Sequence, residues 1–216
     1  MIGAMQVRAP FRAVAPPLDA RMTDDAWRLT PVQAIAHDWR GRPGPLDLVT
    51  EARACWTTGH LWFGFECRYR ELDIDTGAID TSVERVGLWE RDVCEAFVWH
   101  PGEPQAGSYK EFEVAPTGQW CDLTIRQPRV DVDWRWNSGM ETAAAIDEAA
   151  RVWRAVMKVP FSAFSGPPEP GDVWRVNLFR IGRENGERRY LSYAPTGTST
   201  PDFHVPACFV PLVFEA

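Results

Sequence analysis

The sequence lacks the short signatures that identify the common hydrolases, phosphate-binding proteins and metalloproteases. It contains no GxSxG nucleophile elbow, no phosphate-binding glycine loop and no HExxH segment. Its 5 cysteines show no CxxC or CxH spacing, so neither a zinc site nor a redox motif is predicted. The sequence therefore gives no direct indication of catalysis.

Positive charge is also in short supply. The chain carries 23 Lys and Arg against 30 Asp and Glu, for a net charge of -7. The densest basic stretch, residues 183–189, is interrupted by Glu184 and Glu187. That pattern is typical of a solvated hairpin rather than of a surface that follows a phosphate backbone, so no nucleic-acid partner is predicted.

No hydrophobic run approaches the length of a transmembrane helix, and residues 1–14 do not have the charge pattern of a signal peptide. We therefore expect no membrane partner. The location is either the cytoplasm or, for a chain whose signal peptide is not part of this sequence, the cell exterior. The odd number of cysteines favours a reducing compartment, although a disulfide between Cys55 and Cys67 across a hairpin stays open.

Helical periodicity is scarce, and Pro and Gly divide the chain into short apolar segments. Only residues 24–29, with Thr23 as N-cap, and residues 161–164 predict helical turns. The strongest hairpin signal is Asn185-Gly186. We expect an all-β fold: a single antiparallel β-sandwich domain, jelly-roll or immunoglobulin-like, over residues 1–216 with one or two short helical turns. The predicted strands cover residues 52–56, 61–69, 93–99, 109–116, 119–126, 140–146, 151–159, 173–181, 189–194 and 209–214.

Tryptophan is what the sequence has in excess, with 11 residues. Large aromatic side chains at this density indicate that part of the aromatic surface serves a ligand, although most tryptophans of small β-proteins lie in the core. Trp89, which has charged neighbours, and the pair Trp134 and Trp136 are candidates for ligand contact. The tryptophans assigned to the core are Trp27, Trp56, Trp62, Trp153 and Trp174.

A set of segments runs in a recognisable order along almost the whole chain. Among them are Trp89-Glu90-Arg91-Asp92-Val93-Cys94-Glu95, Tyr109 to Gly118 with its Tyr-x-Glu-Phe start, and the close Phe203-His204-Val205-Pro206. The set resembles carbohydrate-binding module family 9 and the wider DOMON-like group of β-sandwiches. The other matching segments are residues 18–27, 54–65, 153–161 and 171–180.

The resemblance implies non-catalytic binding of a mono- or oligosaccharide. A pyranose ring has apolar C–H faces and a rim of hydroxyls, so it requires aromatic rings and planar polar side chains. Trp89 would stack on the sugar and Glu95 would bind hydroxyls, and their even spacing would place both on one face of a continuous strand. The predicted carbohydrate-binding residues are Trp89, Glu95, Arg180, Tyr193, Phe203 and Asp92.

Structural roles for the same residues stay open. Trp89 could close the end of the sandwich, and Glu95 could be a buried charge paired with Arg180. Asp92 is expected to orient Arg91 or Arg180. Tyr193 is the first choice for a second aromatic wall and Phe203 the second. Tyr193 stands where many members of the resembling family have tryptophan.

Two other functions are compatible with the sequence. An enzyme acting on a glycoside could use Glu95 with Glu113, or Glu111 with Glu113. A haem-binding DOMON-like domain would need a Met/His axial pair, for which Met140, Met157 and the four histidines are the candidates.

No cofactor is firmly predicted. The resemblance implies that a structural calcium ion can bind at loop carboxylates and carbonyls, and Asp73 with Asp75, or Asp131 with Asp133, have a suitable spacing. Whether the chain has a partner catalytic domain or forms an oligomer does not follow from its residues.

Overall fold

The computed structural model describes residues 5–103, 105 and 107–216, and within them the chain forms two β-sheets. Their strands are short segments bounded by turns, as the sequence predicts. The strands are β1 Val7–Pro10, β2 Gln33–Ile35, β3 His37–Asp38, β4 Thr50–Trp56, β5 His60–Arg68, β6 Val93–Trp99, β7 Tyr109–Val114, β8 Trp120–Gln127, β9 Asp131–Asp133, β10 Glu141–Asp147, β11 Val152–Pro160, β12 Val173–Glu184, β13 Glu187–Ser192 and β14 Val210–Glu215.

The larger sheet contains nine strands of the described part of the chain, in the order β1-β14-β12-β6-β7-β8-β9, with β13 paired to β12 and β3 paired to β13. The smaller sheet contains five, in the order β10-β11-β5-β4-β2. Every pair is antiparallel except β1 with β14. The all-β antiparallel sandwich predicted from the sequence is therefore confirmed.

Each predicted strand is present, with ends that differ by a few residues. The hairpin between β12 and β13 turns at Asn185 and Gly186, whose φ angles of 53° and 76° both require the left-handed region. Four strands were not predicted: β1, β2, β3 and β9. They have four residues or fewer, too short for their alternation to stand out in the sequence.

A short helix, α1 (Asp25–Arg28), covers the outer face of the smaller sheet. Its N-cap is Asp24, whose carboxylate accepts the Ala26 N–H at 2.7 Å, so the prediction of Thr23 as N-cap is wrong by one residue. Trp27 of α1 packs directly on β5 at Gly64, where a Cβ atom would lie 2.9 Å from the tryptophan ring. Glycine at this position allows the helix to approach the sheet.

The remaining helical structure of the described residues consists of 3₁₀ turns. One of them is the predicted turn near Phe161. The other three were not predicted from the sequence. They span Leu46–Leu48, Leu88–Glu90, Phe161–Ala163 and Pro206–Cys208. Among the described residues, no helix has both the length and the hydrophobicity needed to cross a bilayer.

Two hydrophobic clusters lie on opposite faces of the larger sheet. Alternate residues of β6 separate them: Cys94 and Ala96 face the core between the sheets, whereas Phe97 faces outward into the second cluster. Loop residues such as Phe203 and Phe209 cover this outer cluster. The five tryptophans assigned to the core from the sequence are all buried.

The cysteines lie apart from the predicted pairing. Cys55 belongs to the cluster beneath α1, on the outer face of the smaller sheet, while Cys67 faces the core between the sheets. The predicted possibility of a Cys55–Cys67 disulfide is therefore wrong, because side chains on opposite faces of a sheet cannot meet. The Sγ atom of Cys67 instead lies 3.3 Å from that of Cys94, on the opposite sheet, with both thiols free.

Candidate functional site

A cavity of about 350 Å³ opens on the outer face of the larger sheet. Its floor comes from β6, β7, β8 and β12, and its rim from β13, the 3₁₀ turn at Leu88–Glu90 and two loops. The residues that line it include Trp89, Glu95, Glu111, Arg129, Trp134, Arg188, Tyr190, Asp202, Phe203 and His204.

One wall of the cavity is aromatic. The rings of Trp89 and Trp134 lie 5.9 Å apart at 45°, and Trp134 is 48% exposed. Phe203 stacks on Phe179 at 4.1 Å and 13°, and Tyr190 meets Phe203 edge-on at 6.1 Å. An apolar ligand face therefore has several rings to pack against.

Three buried glutamates cluster on this face of the sheet, and two of them, Glu95 and Glu111, line the cavity. Glu95 on β6 is the direct cross-strand neighbour of Glu113 on β7, and Glu111 lies two residues before Glu113, on the same face. They are 2%, 0% and 3% exposed, respectively, and one carboxylate oxygen from each lies within 4.8 Å of the others. The set can hold a metal ion, share protons or accept hydrogen bonds from ligand hydroxyls.

Burial is the first cause of the perturbed acidity of these groups. It raises the pKa of Glu111 to about 7. The pKa values of Glu95 and Glu113 also lie well above the ordinary glutamate range, because burial is reinforced by the neighbouring carboxylates.

His204, on a loop at the rim, contacts residues of the strand β7 at the floor of the cavity. Its Nδ1 atom shares a 2.5 Å hydrogen bond with the Tyr109 hydroxyl and lies 3.9 Å from a Glu111 oxygen. Burial, followed by the charge of Arg129, lowers the pKa of His204 to about 4. The imidazole is therefore neutral at pH 7 and presents a polar ring edge to the cavity.

The two arginines of the rim are both paired with carboxylates. Arg129 contacts Asp202 at 2.6 Å and Arg188 contacts Glu90 at 2.5 Å. Arg129 occupies the left-handed region at φ 64°, which directs the loop between β8 and β9. The pairing neutralises the rim and still leaves N–H groups for a polar ligand.

The structure places the predicted residues unequally. Trp89, Glu95 and Phe203 line the cavity. Trp89 lies in the 3₁₀ turn before β6, so it shares no continuous strand with Glu95, and the loop geometry rather than strand spacing brings the two together.

Arg180 lies on the other face of the sheet. The residue of β12 opposite Glu95 is Phe179, so the next residue, Arg180, points into the core between the sheets. There it forms a 2.5 Å ion pair with Asp92, both fully buried, and its guanidinium lies 4.8 Å from the Trp153 ring. The predicted pairing of Arg180 with Glu95 is wrong, whereas the expectation that Asp92 orients Arg180 agrees with this contact.

Tyr193 is not part of the cavity lining. It packs on the main core, and its hydroxyl lies 2.9 Å from the Gln6 carbonyl oxygen and 3.1 Å from Gln33 Oε1. Its position on the opposite side of the sheet removes it from the aromatic wall of the cavity, to which Phe203 and Tyr190 belong.

The predicted Trp134–Trp136 platform divides in two. Trp134 joins Trp89 at the cavity, whereas Trp136 packs beneath Lys110, whose Nζ lies 5.0 Å from its ring, and against Phe112. The site residues missed by sequence reasoning are Arg129, Arg188, Tyr190 and Asp202. For the hairpin residues Arg188 and Tyr190, alternation along β13 was a usable signal, but the loop residues had none.

The acidic pairs considered for calcium are neutralised by arginines. Asp75 contacts Arg85 at 2.7 Å, and Arg126 bridges Asp131 at 3.0 Å and Asp133 at 2.8 Å. Asp73 pairs with Arg91 at 2.6 Å. These carboxylates already have cationic partners.

The methionines considered as haem ligands are remote from the cavity. Met140 and Met157 are buried in the core between the sheets, whereas His204 faces outward. The larger sheet separates these methionines from His204, so they cannot form a Met/His axial pair with it.

Solved structures of other proteins have a similar architecture. No family profile and no curated sequence matches the chain. A solved structure described as that of a candidate carbohydrate-binding protein from Bacteroides uniformis has a TM-score of 0.77 and 18% identity, covering 99% of this chain and 100% of that chain. A family 9 carbohydrate-binding module from Caldicellulosiruptor kristjanssonii in complex with cellotriose has a TM-score of 0.68 and 11% identity, covering 98% and 94%. The same kind of module in complex with glucose has a TM-score of 0.67 and 11% identity, covering 98% and 96%. The chain thus has the β-sandwich fold of the family 9 carbohydrate-binding modules.

Proposed function

We propose that this chain binds a carbohydrate without catalysing its conversion, and that the cavity on the larger sheet is the binding site. The observation that carries the proposal is the combination of an aromatic wall with buried carboxyl groups in one cavity. Trp89, Trp134 and Phe203 would contact the apolar face of the sugar. Glu95 and Glu111 would accept hydrogen bonds from its hydroxyls.

The dimensions and polarity of the cavity support this assignment. Its volume is at the lower end of the range for small-molecule pockets, which suits a small sugar or the end of an oligosaccharide. The neutral edge of His204 and the N–H groups of Arg129 and Arg188 add donors and acceptors around the rim. The complexes of a similarly folded kind of module with cellotriose and with glucose favour the same ligand class here.

Calorimetric titration with glucose, cellobiose and xylobiose tests the proposal. Replacing Trp89 or Trp134 by alanine removes an aromatic contact, and we expect a loss of about 2 kcal/mol, or roughly thirtyfold in Kd. Trp136→Ala is a matched control, because Trp136 lies in the same segment but outside the cavity, and it should keep wild-type affinity. Absence of sugar binding, or equal affinity in all variants, would refute the assignment.

The glycosidase alternative is tested in the same samples. Glu95 and Glu113 are neighbours in one sheet, rather than carboxyl groups on two sides of a bound glycosidic bond. Release of reducing sugar that disappears in Glu95→Gln would replace the binding proposal with a catalytic one.

A further inference from the structure

The glutamate cluster has no paired cation among the described residues. Glu113 is fully buried, and apart from a proton that it can share with Glu111, neither of its carboxylate oxygens has a hydrogen-bond partner among the described residues. One oxygen of Glu111 also has no donor. The nearby Arg129 is paired with Asp202 instead. A buried carboxyl group that stays ionised is paired with a cationic side chain or coordinated to a metal ion, and without a cation it takes up a proton, in keeping with the raised pKa values of the three glutamates.

The arrangement of the three carboxylates fits one ion. Oxygens on opposite sides of Ca²⁺ are separated by up to about 5 Å, since each lies about 2.3–2.6 Å from the ion. One oxygen from each of Glu95, Glu111 and Glu113 lies within 4.8 Å of the others, which is compatible with this span. All three side chains project from β6 and β7 in the middle of the larger sheet, so their backbones are held by pairing on both sides.

A fourth carboxylate approaches the cluster from the segment between β5 and β6. Glu84 accepts a hydrogen bond from the Cys121 thiol, with 3.3 Å between Cys121 Sγ and Glu84 Oε1. Cys121 is the cross-strand neighbour of Glu113. The surroundings therefore add negative charge to the cluster and bring no lysine or arginine into an ion pair with it within the described residues.

We propose that Glu95, Glu111 and Glu113 bind one hard divalent cation, with Ca²⁺ the best fit, at the floor of the cavity. The donors are all carboxylate oxygens, which suit Ca²⁺, Mg²⁺ or Mn²⁺ rather than a metal that prefers thiolate or imidazole. Glu95 and Glu111 line the cavity, so the open coordination positions face its interior. Resting on the proposed function, we infer further that hydroxyls of the bound sugar complete the coordination of the ion.

Cation binding is measured first without sugar. Protein dialysed against EDTA and then against metal-free buffer is titrated with CaCl₂, MgCl₂ and MnCl₂ by calorimetry, and its Tm is followed. With Ca²⁺ in hundredfold excess over its Kd, the Tm should rise by about 5–10 °C. The proposal would be overturned if 10 mM CaCl₂, on the order of ten-thousandfold above a micromolar Kd, gave neither heat nor a change in Tm.

Variants identify the ligands. Glu113→Gln keeps the shape of the side chain, removes a charge and leaves the cavity wall intact, and we expect it to weaken Ca²⁺ binding at least tenfold. Glu111→Asp, which withdraws one carboxylate by a methylene, gives a second reading if the first variant does not fold. Glu66→Gln, on β5 in the other sheet, is the control and should bind Ca²⁺ like the wild type. Full Ca²⁺ affinity in both cluster variants would overturn the site.

Sugar titrations with and without Ca²⁺ separate this inference from the proposed function. Tighter sugar binding in the presence of Ca²⁺ supports coordination by hydroxyls. Sugar affinity that does not respond to bound Ca²⁺ refutes that step alone. Cation binding without any sugar binding refutes the proposed function and leaves the metal site standing.

Discussion

Replacing Arg180 by methionine tests the assignment of side chains to the two faces of the central strands. The structure places Arg180 in the core between the sheets, in an ion pair with Asp92 at 2.5 Å, with both side chains fully buried. Methionine preserves much of the volume and removes the charge. We therefore expect a loss of stability and no direct loss of ligand affinity.

The magnitude follows from the burial of the pair. Removing one partner of a buried ion pair costs about 3–5 kcal/mol, because the other charge stays in the core without compensation. For a chain of this length, about 2–4 °C of Tm accompanies each kcal/mol, so the Tm should fall by roughly 6–20 °C. Asp92→Asn should also destabilise, but it keeps an acceptor for the Asp73 N–H, which Asp92 binds at 2.9 Å.

Urea unfolding followed by tryptophan fluorescence measures the effect, with sugar titration in parallel. The double variant Arg180→Met with Asp92→Asn should cost less than the sum of the single variants, because it leaves no buried charge unpaired. An unchanged urea midpoint in Arg180→Met would refute the placement of Arg180. So would a tenfold loss of sugar affinity without a loss of stability.

Two further predictions concern packing and redox state. Gly64→Ala forces a methyl group against Trp27 at 2.9 Å, so we expect a loss of about 1–3 kcal/mol in the urea midpoint analysis, and unchanged stability would show that α1 can shift outward. Refolding in glutathione disulfide should oxidise Cys67 and Cys94 to one disulfide and reduce the oxidant to two thiols. Thiol counting should then find three of the 5 cysteines free. A disulfide that includes Cys55, or five reduced thiols, would contradict the contact between Cys67 and Cys94 across the two sheets.

Local sequence information was sufficient for most of the sandwich. The long strands, such as β5 and β11, carry their own alternation and end at Gly, Pro or Asn turns. The strands β2, β3 and β9 have two or three residues each, and they exist because a neighbouring strand offers a free edge. Nothing in so few residues distinguishes them from loop.

The candidate site was harder to predict because it depends on the pairing register between strands that are far apart in the sequence. Alternation indicates which residues of one strand share a face, but it does not give the position at which the next strand starts. Arg180 and Glu95 were assigned to one site from residue chemistry, yet the pairing of Phe179 with Glu95 puts them on opposite faces. Arg129 and Asp202 lie on separate loops, and their contact depends on the completed fold.

The division of β6 and β7 into two faces has a consequence for how such proteins diverge. Residues that line the cavity alternate along the same strands with residues that hold the sheets together, such as Glu95 with Ala96 and Glu111 with Phe112. Substitutions on the outer face can therefore change the shape and polarity of the cavity without opening the core. The lining of the cavity and the packing of the core therefore depend on different side chains of the same strands.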